Sequence, residues 1–270
     1  MLLTIDAGNT RTKWAVFNKA GEIINDGACD NRALNAADFS PATLRYERVV
    51  VSNVAGEAHA YLLAEKLAPH AKPVRWIKST TQACGLSNRY DQAETLGTDR
   101  WAALIAAWHI KQAPCVVVNA GTAVTIDALS VDPQNHTNQA TFIGGFILPG
   151  LNLMQQSLGL ATAQLPKLDP SPNLTAQAHT DIFAKNTADA IYAGALHAIV
   201  GAIILMTSEL NVRCKQAPFI VISGGNAPII YKQLMKECLL MEMTLQALIV
   251  DNLVLQGLYL LENFMQSDTQ

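Results

Sequence analysis

The sequence contains few charged residues, and neither sign is in clear excess. Only 15% of its 270 residues are Asp, Glu, Lys or Arg, with 19 basic against 22 acidic side chains. Because affinity for nucleic acids comes mostly from clustered Lys and Arg, this composition argues against a nucleic acid as the main partner. Hydrophobic residues make up half of the chain, which excludes a largely disordered protein, and the length predicts roughly two domains.

Cysteine is also scarce, and its spacing excludes the common structural metal sites. The five cysteines lie far apart, with no CxxC pair and no Cys/His pair at the spacing of metal ligands. We expect them to be reduced thiols of a cytoplasmic protein. The N-terminus has no basic segment ahead of an apolar one and reaches Asp6 after a very short apolar run, so no signal peptide is expected.

One uncharged segment, residues 190–206, approaches the ~20 residues that span a bilayer. Its Ala and Gly content, with Tyr192 and His197 among its residues, favours a buried helix instead. We therefore expect no membrane association.

A polar turn between two predicted strands is the first motif. Residues 2–5 form an apolar run and residues 12–17 alternate between large apolar and smaller or polar side chains, which predicts a hairpin. Its turn is Asp6-Ala7-Gly8-Asn9-Thr10. The same pattern follows residue 114, in the sequence CVVVNAGTAVTIDAL.

This second hairpin indicates an internal duplication. Its turn contains Gly121 and Thr122, and Asp127 is the predicted end of its second strand. We expect two similar α/β domains, residues 1–115 and 116–270, with both turns directed at a ligand in the cleft between them.

The turns have the residues of a nucleotide site. In the first, Gly8 permits a sharp bend with exposed N–H groups, Lys13 adds positive charge, and Asp6 is placed to hold Mg²⁺ through water. An ordinary polar hairpin would have the same residues, but two such turns in a duplicated chain favour phosphate binding. A third turn, with Gly224 and Gly225, has room for a base or a ribose.

The segment Gly97-Thr98-Asp99-Arg100 places a carboxylate and a guanidinium where a helix is predicted to begin. Apolar residues follow at helical spacing, so Thr98 is the expected N-cap. The helix N-terminus favours an ionised Asp99 that accepts a hydroxyl proton. The alternative is that Asp99 only supports the helix N-terminus.

None of these turns is a P-loop or a GxGxxG fingerprint. Six segments in chain order resemble those of type III pantothenate kinases, a family of the actin-like and sugar-kinase ATPase superfamily: DAGNTRTKW (6–14), GTDRWAAL (97–104), NAGTAVTID (119–127), GGFILPGLNLM (144–154), NTADAIYAGAL (186–196) and SGGNA (223–227).

The resemblance implies an α/β fold of two similar actin-like, ribonuclease H-like domains with a nucleotide cleft between them. It implies that ATP, with Mg²⁺, phosphorylates pantothenate to 4'-phosphopantothenate in the first step of coenzyme A synthesis, and that Asp99 is the proton acceptor. The family is typically homodimeric. The expected substrate contacts are Tyr90, Gly97, Thr98, Asp99, Arg100 and Thr187. The expected nucleotide contacts are Asp6, Ala7, Gly8, Asn9, Thr10, Arg11, Thr12, Lys13, Gly121, Thr122, Gly224 and Gly225.

Several of these residues have simpler explanations. Tyr90 could pack within a loop, Thr187 could cap a helix, and Asp127 is either a charge near the phosphates or only the end of a strand. A turn that shapes the substrate pocket, without chemistry of its own, is expected from Gly144, Gly145, Pro149 and Gly150.

Asn119 departs from the family pattern. Many members have Asp at this position, where it helps to hold a monovalent cation such as K⁺. Asn offers a carbonyl oxygen but no charge, so we expect a reduced dependence on K⁺ or NH₄⁺.

Three other functions fit parts of the pattern. The family includes accessory factors of toxin gene transcription, which allows a regulatory role. A nucleotide-gated module would hydrolyse ATP slowly without an acceptor, and a kinase of another hydroxy acid or sugar would share the phosphate motifs.

Overall fold

The computed structural model describes residues 1–37, 39, 46–68, 74–132, 139–161 and 182–267. Its strands are β1 (Leu2–Ala7), β2 (Arg11–Phe17), β3 (Ile23–Asp30), β4 (Arg48–Asn53), β5 (Val74–Trp76), β6 (Gln82–Ala83), β7 (Leu86–Asn88), β8 (Cys115–Ala120), β9 (Ala123–Ser130), β10 (Ala140–Pro149), β11 (Phe219–Ser223) and β12 (Gln246–Ile249). Its α-helices are α1 (Glu57–Leu67), α2 (Thr98–Lys111), α3 (Leu151–Ala161), α4 (Thr187–Cys214), α5 (Ala227–Leu240) and α6 (Leu253–Ser267).

Contacts between residues divide the chain into two units. The first unit contains Met1–Gln112, Thr137–Phe142 and Asn252–Gln270, and the second contains Ala113–His136 and Ile143–Asp251. The sequence analysis had assigned the C-terminal residues to the second domain. They lie with the first unit because α6 packs along α2 and against β1.

The sheet of the first unit has the strand order β3-β2-β1-β4-β5. The predicted hairpin is confirmed: β1 and β2 are antiparallel, and Asp6 pairs with Lys13. β4 and β5 continue the sheet in parallel to β1. β3 was not predicted, because its sequence IINDGACD is rich in polar and small residues and only alternates between half-buried and exposed positions.

The two faces of this sheet are covered by different helices. Leu3, Ile5 and Ala7 point into a core that includes Leu63 of α1. Because successive residues of a strand point to opposite faces, Asp6 points away from that core. The opposite face packs against α6, and α2 contacts β4.

Two features hold α6 in place. Gly257 lies directly against the backbone of Ala102 in α2, where a Cβ atom would collide with the carbonyl group. Glu262 is buried and accepts hydrogen bonds from Arg48 at 3.2 Å and Arg75 at 2.8 Å, which join α6 to β4 and β5. Ile249 ends β12, which runs parallel to β11, and α6 begins at Leu253.

The second unit has a sheet with the same organisation. Five strands of this seven-stranded sheet follow the order β10-β9-β8-β11-β12, in which β8 and β9 form the second predicted hairpin and β11 and β12 run parallel to β8. The sheet packs against α4 and α5 through a fully buried apolar core. Two similar α/β halves are therefore confirmed.

Helix α4 contains the uncharged segment of the sequence analysis. By length and composition it could cross a membrane, but half of its most apolar window is buried inside the protein. Leu196, Ile199, Val200 and Ile203 contribute to the core of the second unit. This packing explains the composition of α4 without a bilayer, as in the core helix of a globular domain.

Two local predictions, on Thr98 and Asp127, were wrong, and the alternative that Thr187 caps a helix is contradicted as well. Gly97, and not Thr98, is the N-cap of α2, and Asn186, and not Thr187, is the N-cap of α4, where its side chain accepts a hydrogen bond from the N–H of Asp189. Asp127 does not end a strand, because it is buried inside β9.

The expected turn of Gly144, Gly145, Pro149 and Gly150 is also wrong, since the first three lie in β10. Extended pairing of this segment outweighs the turn tendency of its glycines. Segments 131–141 and 166–180 are rich in Pro, Asn, Gln and Thr, which predicts surface loops. The first falls mostly outside the described residues, although residues 140 and 141 begin β10, and the second lies wholly outside them.

Candidate active site

A row of polar side chains crosses the sheet of the first unit at the end of β1. Asp6 pairs with Lys13 of β2 on one side and with Ser52 of β4 on the other. Paired residues of adjacent strands point to the same face, so these three side chains lie side by side. The Ser52 hydroxyl forms a 2.8 Å hydrogen bond with that of Thr98, which ties the row to the start of α2.

Asp99 sits over this row at the first turn of α2. Its Oδ1 accepts a 2.8 Å hydrogen bond from the N–H of Arg100. A Cβ atom on Gly97 would stand 2.6 Å from that same oxygen, so a side chain at residue 97 would displace the carboxylate from this position. The predicted GTDR motif thus places a carboxylate at a helix N-terminus.

The carboxylates of Asp6 and Asp99 interact. The pKa of Asp6 is raised from 3.8 to about 7, because burial and, to a smaller extent, the negative charge of Asp99 raise it more than Lys13 lowers it. Burial also raises the pKa of Asp99, against the N–H and the charge of Arg100. The charge of Asp99 is thus one cause of the raised pKa of Asp6, whereas the contacts with Arg100 favour the ionised form of Asp99.

The donor atoms of this pair fit a hard divalent cation. Asp6 is partly exposed as a residue, yet its Oδ1 is buried without a hydrogen-bond partner. Mg²⁺ is usually held by one or two carboxylates together with waters and phosphate oxygens. Within the described ranges no cluster of three or more His, Cys, Asp or Glu side chains could hold a metal ion.

Arg100 and Tyr90 form a second group beside Asp99. The guanidinium of Arg100 is only 5% exposed and donates a 2.9 Å hydrogen bond to the Tyr90 hydroxyl. It lies 5.6 Å from the centre of the Tyr90 ring and 5.8 Å from that of Phe142. Tyr90 therefore does more than pack in a loop: it orients a cation that is suited to an anionic ligand.

The first turn projects from the end of the same hairpin. Gly8 closes the turn by donating a 3.1 Å hydrogen bond to the carbonyl of Arg11, and a Cβ atom on Gly8 would stand 3.2 Å from that carbonyl. Asn9, Thr10 and Arg11 are exposed at the tip. The Thr12 side chain is fully buried and contacts Asn31 and His59, two residues that sequence reasoning missed.

In the second unit, two glycines pack against the second hairpin. Gly121 donates a 3.0 Å hydrogen bond to the carbonyl of Ala123, and Gly121 and Thr122 are exposed. Gly150 donates to the carbonyl of Thr122 at 2.8 Å, and a Cβ atom on it would collide with the backbone of Gly121. The end of the GGFILPG segment thus supports this turn.

The third turn also approaches the second hairpin. Gly224 has a φ of +101°, and a Cβ atom there would stand 2.5 Å from the carbonyl oxygen of Ala120. Asn226 donates a 3.1 Å hydrogen bond to that oxygen. No atom lies within 4 Å of a Cβ atom built on Gly225, so this glycine faces open space.

Asn119 occupies the position in β8 that Asp6 has in β1. It pairs with Thr125 of β9 and with Ser223 of β11, so its row contains only neutral oxygen and amide groups. The hydroxyl of Thr125 is buried and has no hydrogen-bond partner among the described residues. Thr187, the remaining expected substrate contact, is exposed as the first residue of α4.

Comparison with known proteins identifies the family. A sequence model described as type III pantothenate kinase matches residues 2–209. The chain belongs to the type III pantothenate kinase family. The type III pantothenate kinase of Methylobacillus flagellatus is 43% identical over 262 residues, which cover 97% of both chains. Type III pantothenate kinases are phosphotransferases, and this chain accordingly uses ATP to phosphorylate pantothenate in coenzyme A biosynthesis.

Solved structures of other proteins share the fold. The activator of 2-hydroxyisocaproyl-CoA dehydratase from Clostridium difficile, with bound ADPNP, has a TM-score of 0.53 at 11% identity and covers 99% of this chain and 97% of its own. A glucokinase from an Antarctic psychrotroph has a TM-score of 0.50 at 12% identity, covering 97% and 98%. The fold of this pantothenate kinase is therefore that of actin-like ATPases and sugar kinases, as predicted.

Proposed function

We propose that Asp99 is the proton acceptor for the pantothenate hydroxyl and that Asp6 and Lys13 act on the phosphates of ATP. The observation that carries this proposal is the pair of interacting carboxylates, both with a raised pKa, at the end of β1. A raised pKa makes Asp99 a stronger base than an ordinary Asp, and the N–H of Arg100 orients its carboxylate. Phosphoryl transfer needs mainly such positioning and neutralisation of charge.

The phosphates of ATP are assigned to the hairpin turns. Gly8 and Gly121 shape the turns, the backbone N–H groups of residues 9–11 and Thr122 and the hydroxyls of Thr10 and Thr122 suit phosphate oxygens, and Lys13 adds the positive charge. Asp6 would hold Mg²⁺, which would supply positive charge to the phosphates. Gly224 and Gly225 are assigned to the adenosine because Gly225 faces open space.

The pantothenate contacts are assigned to the residues around Asp99. Arg100, held by Tyr90, suits the carboxylate of pantothenate, since a desolvated guanidinium binds carboxylates strongly. Gly97 and Thr98 shape this pocket, and Thr187 contributes from the start of α4.

The remaining assignments follow the family resemblance. Asn119 and its neutral neighbours attract a cation less than an Asp would, which supports a reduced dependence on K⁺ or NH₄⁺. We assign the protein to the cytoplasm as a homodimer. Its five cysteines are free thiols, as in reducing compartments.

The test is the formation of phosphopantothenate by the wild type and by Asp99→Asn, followed by mass spectrometry in the presence of ATP and Mg²⁺. General-base catalysis typically contributes about 10²–10⁴-fold, so we expect kcat to fall by roughly that factor. The KM for ATP should change much less, because Asn occupies the same space. Asp26→Asn is the matched control, since Asp26 is exposed on β3 of the same sheet.

An Asp99→Asn variant with full turnover would contradict the role of Asp99. Wild-type protein that hydrolyses ATP slowly without forming phosphopantothenate would instead support the regulatory or nucleotide-gated alternatives. Repeating the assay with other hydroxy acids distinguishes a different acceptor from a missing activity.

A further inference from the structure

Asn31 forms hydrogen bonds with residues on both sides of the first hairpin turn. Its backbone N–H donates a 3.0 Å hydrogen bond to the carbonyl of Thr10. Its side-chain Nδ2 donates to the carbonyl of Gly8 at 2.8 Å, and its Oδ1 accepts from the Thr12 hydroxyl at 2.9 Å. One asparagine, from the 3-10 turn after β3, thus joins three residues of the turn.

His59 of α1 completes this arrangement. Its Nε2 lies 2.9 Å from the Thr12 hydroxyl. Because that hydroxyl donates its only proton to Asn31, the ring must donate through Nε2–H, which assigns the tautomer. His59 is 8% exposed and Thr12 is fully buried, so the hydrogen bonds are shielded from water.

These residues cannot be explained as ATP contacts. Each side chain is engaged with another residue of the network, and Thr12 is buried while the tip Asn9–Arg11 is exposed. With the carbonyls of Gly8 and Thr10 bound to Asn31, the orientation of the peptide planes in the turn is set before any ligand arrives. Donors that are oriented in advance bind an anion without a further cost of ordering.

We propose that Asn31 and His59 are positioning residues that hold the first turn in its phosphate-binding conformation through Thr12. This inference rests on the proposed function, in which that turn binds the phosphates of ATP. It assigns a role to two residues that lie outside every motif of the sequence.

The test compares Asn31→Ala and Asn31→Asp with the wild type by steady-state kinetics. A lost hydrogen bond is typically worth ~1 kcal/mol, so loss of the side-chain hydrogen bonds of Asn31 to the first turn should raise the KM for ATP by about five- to tenfold. The KM for pantothenate should stay within about twofold of the wild type, because Asn31 does not contact the proposed substrate residues. Asn31→Asp places an acceptor against the carbonyl of Gly8 and should be at least as impaired as Asn31→Ala.

Two further variants separate positioning from stability. His59→Gln retains a donor toward Thr12 and should recover most of the ATP affinity that His59→Leu loses. Asn18→Ala is the matched control, because Asn18 accepts 2.9 Å and 3.0 Å hydrogen bonds from the N–H groups of Ala20 and Glu22 in the neighbouring β2–β3 turn. It should leave both KM values unchanged.

Hydrogen exchange of the ligand-free protein provides a readout that does not depend on kinase activity. Asn31→Ala should accelerate exchange of the amides in residues 8–11 and leave the amides of residues 18–22 unchanged. If Asn31→Ala accelerates this exchange but the wild type makes no phosphopantothenate, the positioning role of Asn31 is supported and the proposed function is rejected. Unchanged exchange, or kinetic effects no more selective for ATP than those of Asn18→Ala, would overturn the inference.

Discussion

Replacing Asp6 with Asn should stabilise the protein at alkaline pH while it removes the proposed Mg²⁺ ligand. Asp6 has a pKa of about 7 in the folded chain against 3.8 ordinarily, because its carboxylate is buried and faces Asp99. The folded state therefore holds a proton that the unfolded state has lost between these two pH values. Ionised Asp6 thus destabilises the fold progressively as the pH rises through this window, and the full cost applies above it.

The magnitude follows from the shift in pKa. One pKa unit corresponds to 1.36 kcal/mol, so a shift of about three units costs about 4 kcal/mol at pH 8 as an upper limit. At pH 5, which lies about 1.2 units above the ordinary pKa of 3.8, the cost is ~1.6 kcal/mol. The stabilisation by Asp6→Asn should consequently grow by about 2–3 kcal/mol between pH 5 and pH 8.

The assay is urea unfolding in the presence of EDTA, followed by tryptophan fluorescence. All four tryptophans, at positions 14, 76, 101 and 108, belong to the first unit, so the signal reports the unit that contains Asp6. Mg²⁺ should stabilise the wild type at pH 8, because binding of the cation offsets the repulsion between the two carboxylates, and should have little effect on Asp6→Asn.

Two results would refute this reasoning. One is a stabilisation that is the same at pH 5 and pH 8, which would mean that the charge of Asp6 is not the cause. The other is equal stabilisation of both proteins by Mg²⁺. The exposed Asp26→Asn exchange controls for the general loss of one negative charge.

Two further predictions concern packing and the cation. Gly257→Ala should destabilise the first unit by about 1–3 kcal/mol, because its Cβ atom collides with the backbone of Ala102, whereas Gly201→Ala, with open space and an exposed position in α4, should be neutral or stabilising; urea unfolding measures both. Asn119→Asp should increase the activation by K⁺ or NH₄⁺ in an ion titration of turnover, while steep activation of the wild type would contradict the assignment of Asn119.

Local patterns in the sequence were sufficient for the elements that carry the motifs. The alternation of β2, the apolar run of β1 and Gly8 between them predict the first hairpin, and the helical spacing after Thr98 predicts α2. These signals depend on residues within a few positions of one another, so they can be read without a fold. The error over the N-cap of α2 has a local cause as well, since Thr is a common N-cap and Gly97 provides no side-chain hydrogen bond.

Other predictions failed where neighbouring strands decide the conformation. Gly144 and Gly145 suggested a turn, yet they lie inside β10, and Gly145 packs against the Asp127 carboxylate and the backbone of β9. Asp127 suggested a strand end, yet β9 continues past it to Ser130. A glycine within a strand marks a close approach of another chain segment, which cannot be distinguished from a turn before the partner strand is known.

The sequence by itself determined the family and the duplicated α/β halves, because these depend on local pattern and on motifs of fixed spacing. Only the tertiary structure decided that Asp6 and Asp99 interact and that burial raises the pKa of each. It also brought Asn31 and His59 behind the first turn and α6 onto α2. The physical reason is that burial, electrostatic coupling and hydrogen bonding depend on distance in space, and residues far apart in the chain acquire that proximity only when the sheet and its helices have packed.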